Sequence, residues 1–269
     1  MAKVLVGGRE FHYEQAGSGE PLLLIQGMSG THVAWGQEFK GALEESFDVV
    51  AFDNRGIGLS APVDGPFTIV EMAGDTAALL AELDLESAHV VSISMGGMIA
   101  QELALAEPGF LRSLTLGCTY CGGPGSQLMP EENLQKLVAG MSSGDRGQAI
   151  RAGYEVNLSP AFRADASTWT AFHEMATSVP AAKATIELQA QAIFGHDTSG
   201  RLGEIEVPTL IVHGTVDGVL PFPNGEQIAS LMPSARFEVL EDVGHMFWWE
   251  QPQRSAELIR EHALAAGRA

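Results

Sequence analysis

Three residues of this 269-residue chain have the types and the order needed to move an acyl group: Ser94, Asp217 and His245. A serine hydroxyl is a weak nucleophile until a base takes its proton. An imidazole is such a base when a carboxylate fixes its tautomer and stabilises the imidazolium. Ser94 lies between an apolar, β-branched run (Val90, Val91, Ile93) and a helix-forming run from Met95 to Ala106, with no room for a loop. A strand that becomes a helix across one residue forces strained backbone angles there. Only small neighbours let the two elements pack that closely, and Ser92, Gly96 and Gly97 are small. The stretch reads as a G-x-S-x-G elbow in which Ser92 replaces the first glycine. Ser92 itself lies inside the strand, two residues before another serine, and is not expected to be the nucleophile.

The partners come from two later loops, each just past a strand-like run, where open α/β sheets place their sites. After Thr209–His213 the chain reads Gly-Thr-Val-Asp-Gly and offers Asp217; after Arg236–Leu240 it reads Asp-Val-Gly-His-Met-Phe-Trp-Trp and offers His245. Aromatic neighbours exclude water around that imidazole, which suits a base. An oxyanion developing on the substrate needs donors. The backbone N–H of Met95, at a helix N-terminus, is one; the N–H of Met28, in the turn Gln26-Gly27-Met28, is the other. Gln26, Gly27 and Trp248 are expected to contact substrate.

The elements that must position these groups follow from periodicity. Gly7-Gly8 joins two strand runs into a hairpin. Leu22–Gln26 is continuously apolar, as in a strand buried on both faces. Trp35–Glu44 reads as one helix, and Thr68 with Glu71 forms a capping box for another. Asn224 is expected to cap Glu226–Leu231. Strands alternating with helices imply a mostly parallel sheet covered on both faces, of eight strands in total. Between residues 122 and 200 strand character vanishes and helical runs follow one another. The expected organisation is a core of residues 1–121 and 201–269 with a helical cap of residues 122–200.

A formal net charge of -19 disfavours nucleic acid and anionic membranes as partners. The first residues lack an apolar segment behind a basic start, and no run approaches a membrane span, so a cytoplasmic location is expected. Cys118 and Cys121 form a lone C-x-x-C, half a zinc site, and read as two free thiols near a strand end. Neither the cysteines nor the remaining histidines, His12, His32, His89, His173, His196, His213 and His262, show ligand spacing. No metal and no cofactor is expected.

On Gly27-Met28, Asp53-x-Arg55-Gly56-x-Gly58-x-Ser60, Ser94-Met95-Gly96-Gly97, His213-Gly214-Thr215-x-Asp217 and Gly244-His245 the chain resembles the α/β-hydrolase superfamily. The resemblance implies an eight-stranded, mostly parallel hydrolase sheet with an inserted helical cap over the site, and a scaffolding role for Asp53–Ser60. Two positions depart from the pattern: Gln26 where a histidine is usual, and Ser92. Within the superfamily the elbow and the Asp53 loop look like 3-oxoadipate enol-lactonases and small carboxylesterases. Enol-lactonase substrates carry a carboxylate, whereas the cap offers few cations: Lys136, Arg146, Arg151, Arg163 and Lys183. The expected activity is therefore hydrolysis of a small to medium, mostly apolar carboxylic ester through an acyl-enzyme, with a lactone as the close alternative. Perhydrolases and C–C bond hydrolases keep the same triad; dehalogenases and epoxide hydrolases use an aspartate nucleophile, which Ser94 argues against. A non-catalytic hydrolase-fold binding protein is the reading of a different class, opposed by the presence of all three residues. The expected partner is a small-molecule ester or lactone, and a homodimer is compatible with the sequence.

Overall fold

The structure is a computed structural model describing residues 2–179 and 181–267, so the outermost residues of the expected core segments lie outside it. The chain opens with an antiparallel hairpin, β1 (Ala2–Val6) and β2 (Arg9–Gly17), turning through Gly7 and Gly8, both at positive φ. Then come β3 (Glu20–Ile25), α1 (Gln37–Glu44), β4 (Phe47–Phe52), α2 (Ile69–Glu82), β5 (Ala88–Ile93), α3 (Met95–Ala106) and β6 (Leu111–Gly117). The insert contributes α4 (Glu131–Ser142), α5 (Arg146–Asn157), α6 (Pro160–Arg163), α7 (Ser167–Ser178) and α8 (Lys183–Phe194). The chain ends with β7 (Thr209–Gly214), α9 (Pro223–Leu231), β8 (Arg236–Leu240), α10 (Phe247–Glu250) and α11 (Pro252–Ala266).

The eight strands form one sheet in the order β1-β2-β4-β3-β5-β6-β7-β8, parallel from β4 onward. Successive side chains of a strand point to opposite faces, and the central strands divide between two cores accordingly. Leu23, Ile25, Val50 and Val90 join the layer under α2 and α3, while Leu22, Leu24, Val49 and Val91 join the layer under α1 and α11. That is why these strands are apolar throughout rather than alternating. Parallel order also brings the carboxyl ends of β5, β7 and β8 to one edge, with Ile93 beside Gly117, Gly117 beside Val212 and Gly214 beside Leu240.

The capping box forms as expected: the Thr68 hydroxyl accepts from Glu71 N, and the Glu71 carboxylate accepts from Thr68 N. Two local expectations are corrected. Trp35–Glu44 is not one helix, because Gly36 at φ 72° separates a short 3₁₀ turn (His32–Trp35) from α1. Asn224 does not cap α9. It lies inside the first turn, where its side chain exchanges two hydrogen bonds with the Gln127 backbone, at 2.7 and 2.9 Å.

The insert rejoins the core at His196, whose side chain is fully buried beside Gln101 of α3 and Thr198, each 3.4 Å from Nε2. Burial pushes this imidazole down to about 4, and the neighbouring Glu102 and Asp197 offset it only in part. The unfolded chain takes up this proton near the ordinary value of 6.5, so the group stabilises the fold above that pH and the contribution is lost as pH falls toward 4. Between pH 7 and 4.5 the loss amounts to about 2–3 kcal/mol. Urea titrations at the two pH values should show a correspondingly smaller drop in His196→Asn than in the parent protein; parallel profiles would refute the assignment.

Candidate active site

Ser94 sits at φ 54° and ψ -126°, the outlying conformation that a loop-free strand-to-helix turn imposes. Its N–H remains in the sheet, donating to Gly117 O at 2.9 Å, and its carbonyl accepts from Thr119 Oγ1 at 2.7 Å. Small residues are required around it. A Cβ at Gly96 would overlap the Ile25 carbonyl oxygen, so α3 crosses the end of β3 in direct backbone contact. A Cβ at Gly27 would come within 2.8 Å of Ser94 Cβ and 3.3 Å of its Oγ, so the Gly27 turn lies against the serine side chain. Ser92 is fully buried within β5 and donates to Thr115 O at 2.7 Å.

His245 and Asp217 meet. His245 Nδ1 lies 2.8 Å from Asp217 Oδ2. The other carboxylate oxygen accepts from Val219 N and Leu220 N at 2.8 and 2.9 Å, so the loop folds around the carboxylate. Burial alone would raise the Asp217 carboxyl, but the imidazoles of His245 and His213 outweigh it and hold the group well below the usual carboxylate range. Ionised Asp217 can only accept, so Nδ1 of His245 is the donor and Nε2 keeps a free lone pair.

Two contacts tie this pair to the serine turn. Gly117 holds Ser94 N, and the next residue, Cys118, donates its thiol to His245 O at 2.8 Å from a left-handed φ of 37°. Burial pushes the Cys118 thiol well up, and the Asp217 and Glu250 carboxylates add to it, so it is a proton-bearing donor rather than a thiolate. His213 approaches Asp217 from the other side, with Nε2 3.3 Å from Oδ2 and 2.8 Å from Leu220 O.

Met28 N and Met95 N have no hydrogen-bond partner among the described residues. They flank the Ser94–Gly27 contact. The turn carrying Met28 is braced from three sides. Gln26 Oε1 accepts Gly27 N at 3.1 Å, Asn54 Nδ2 donates to Gln26 O at 3.1 Å, and Gln189 of α8 accepts Ser29 N at 2.9 Å. Gln26 is thus folded beneath its own turn. Trp248 is buried against Trp35 and donates to Ala34 O at 3.0 Å; what it touches is the core beside the His245 loop. Asp53 accepts from His32 N and Leu59 N, and Ser60 Oγ donates to Asp53 O, which is scaffolding.

Sequence reasoning missed Glu250. Its half-buried carboxylate accepts Gly244 N and Ser159 N through one oxygen and Ser159 Oγ through the other, at 3.0, 2.7 and 2.6 Å, joining the His245 loop to the insert. Nothing in its local spacing marks it, nor Cys118, since both act through partners distant in sequence.

The family model for the alpha/beta hydrolase fold matches residues 20–252. This chain belongs to the alpha/beta hydrolase family. Among its relatives, a putative carbamate hydrolase, RutD, of Azorhizobium caulinodans is 30% identical over 94% of this chain and 94% of its own length. A putative non-heme bromoperoxidase, BpoC, of Mycobacterium tuberculosis is 28% identical over 90% and 92%. Among solved structures, a thermophilic esterase from Thermogutta terrifontis superposes with a TM-score of 0.80 at 26% identity, covering 98% of each chain. No helix among the described residues of this hydrolase is long and apolar enough to cross a membrane.

The backbone contact at the elbow has a measurable consequence. Gly96→Ala sets a methyl group against carbonyl oxygens that cannot swing aside, and should destabilise the hydrolase by about 1–3 kcal/mol. Chemical denaturation checks this, with Gly74→Ala in the interior of α2, where a Cβ meets nothing within 4 Å, as the comparison expected to stabilise by about 0.5–1 kcal/mol.

Proposed function

We propose that the protein is a serine hydrolase of uncharged carboxylic esters, with Ser94 as nucleophile, His245 as general base and acid, and Asp217 as the group that orients and stabilises the imidazolium. The buried Asp217–His245 hydrogen bond carries this reading. It leaves Nε2 free to accept a proton, and the Gly117–Cys118 link ties the His245 loop to the turn that carries Ser94. Ser94 Oγ attacks the ester carbonyl while His245 takes its proton. The tetrahedral oxyanion is held by Met28 and Met95 N–H groups, each such donor contributing about 3–4 kcal/mol. His245 then protonates the departing alcohol, and water, activated by the same imidazole, releases the acid and restores Ser94. No step requires a cofactor or a metal.

The preference for an uncharged substrate rests on the insert, which we read as a cap formed by residues 122–200. Its cations have partners elsewhere. Arg151 pairs with Glu155 and lies over the Tyr154 and Trp169 rings, and Lys183 faces Glu187. Arg146 and Arg163 donate to the Ala176 and Leu158 carbonyls, and Lys136 approaches Asn133 Oδ1. A substrate carboxylate would have to displace one of them. Lactones, being uncharged cyclic esters, fit the same description.

Ser94→Ala should lower hydrolysis of p-nitrophenyl acetate by at least about 10³-fold with unchanged circular dichroism, and a fluorophosphonate adduct should map to Ser94 by mass spectrometry. Labelling at another residue, or hydrolysis surviving the substitution, ends the proposal. A panel of neutral esters, neutral lactones and carboxylate-bearing lactones of matched size tests the substrate class; faster turnover of the carboxylate-bearing members would reverse it.

A further inference from the structure

Beside Asp53, three side chains of metal-ligating type come together. His12 and Glu14 alternate along β2 and so share a face, and His32 opens the 3₁₀ turn behind the Gly27 loop. One ligand atom from each lies within 4.8 Å of the other two. His12 is fully buried, yet neither ring nitrogen has a hydrogen-bond partner; the Ala2 carbonyl lies nearby without the geometry of one. A buried imidazole left this way costs about 1–3 kcal/mol unless something occupies it. His32 Nδ1 is 2.9 Å from Asp53 Oδ1, which fixes Nδ1–H as the donor and turns the Nε2 lone pair toward Glu14 Oε1, 3.7 Å away. The second Glu14 oxygen accepts from Lys40 Nζ at 2.6 Å.

The geometry points to a binding site for a divalent first-row transition metal, Zn²⁺ in particular, formed by His12, His32 Nε2 and Glu14 Oε1. Two imidazoles and a carboxylate are a zinc donor set, and ligands of a tetrahedral ion are about 3.3 Å apart, so a modest contraction closes the site. Outer partners orient two of the three ligands, Asp53 on His32 and Lys40 on Glu14, as in established metal sites. Glu14 and Lys40 also line a groove of about 410 Å³ that opens to solvent, which gives an ion and its waters access to the Glu14 side of the site. Asp53 and Glu14 against Lys40 leave a local excess of negative charge for the cation. The other described group of ligating types, Cys118, Asp217 and His245, is already internally bonded and belongs to the candidate active site.

The test uses the full, untagged chain, stripped with chelator and dialysed against Zn²⁺. One zinc per chain is expected by elemental analysis, with a rise in Tm on zinc addition. Glu14→Gln and His12→Asn should each weaken zinc affinity by more than about tenfold and abolish the rise in Tm, while His245→Asn and His173→Asn keep both. Absence of stoichiometric zinc, loss of it in His245→Asn, or its retention in Glu14→Gln overturns the site. Because Glu14 is half-exposed, that variant decides the matter even where His12→Asn does not fold.

Discussion

A strand that becomes a helix without a loop is the constraint on which this molecule depends. Ser94 cannot hold φ 54° without cost; strain of this kind amounts to about 1–3 kcal/mol. It persists because both flanking elements are over-determined. β5 is paired on both sides by β3 and β6, and most of α3, from Met95 to Ala104, is buried. The same closeness that forbids a side chain at Gly96 brings the end of β3 beneath the helix start, and so sets the Gly27 turn against Ser94. The serine, the turn and the two unpartnered amides are consequences of one crossing, not separate inventions.

Electrostatics around the site are arranged by the same economy of backbone. Asp217 is buried without a cation, which would be costly for a bare carboxylate. Two loop amides and two imidazoles receive its oxygens instead. Cys118 adds a neutral donor to the His245 carbonyl, fixing the loop without placing a second charge beside the imidazole. The pair thus enters any reaction already oriented, which is the condition for a fixed dipole to act on a developing charge.

Much of this was legible in the chain. Parallel strands buried on both faces have a periodicity of their own, and the order of Ser94, Asp217 and His245, each past a separate strand, is read directly from spacing. The Thr68–Glu71 box was legible because its two halves are three residues apart. What escaped was of one kind: contacts whose partners are far apart in sequence and whose residue types are ordinary. Glu250 meeting Ser159, Cys118 meeting His245, and the His12 and Glu14 face of β2 meeting His32 depend on how finished elements are stacked, which local pattern does not encode. Gly36 breaking the first helix, and Asn224 pairing with Gln127 instead of capping, are cases where a tertiary partner or a single left-handed glycine overrode an otherwise sound local signal.

The carboxylate of Glu250 holds Gly244, immediately before His245, and Ser159, in the middle of the insert, by the same two oxygens. The insert is therefore not an interchangeable hood. Transplanting a different one onto this sheet, as a route to new specificity, would leave a half-buried carboxylate with the Gly244 amide alone unless the graft brought its own hydroxyl and amide at the position of Ser159. Any segment set between β6 and β7 of this sheet must therefore satisfy one carboxylate that lies outside it, more than a hundred residues past β6.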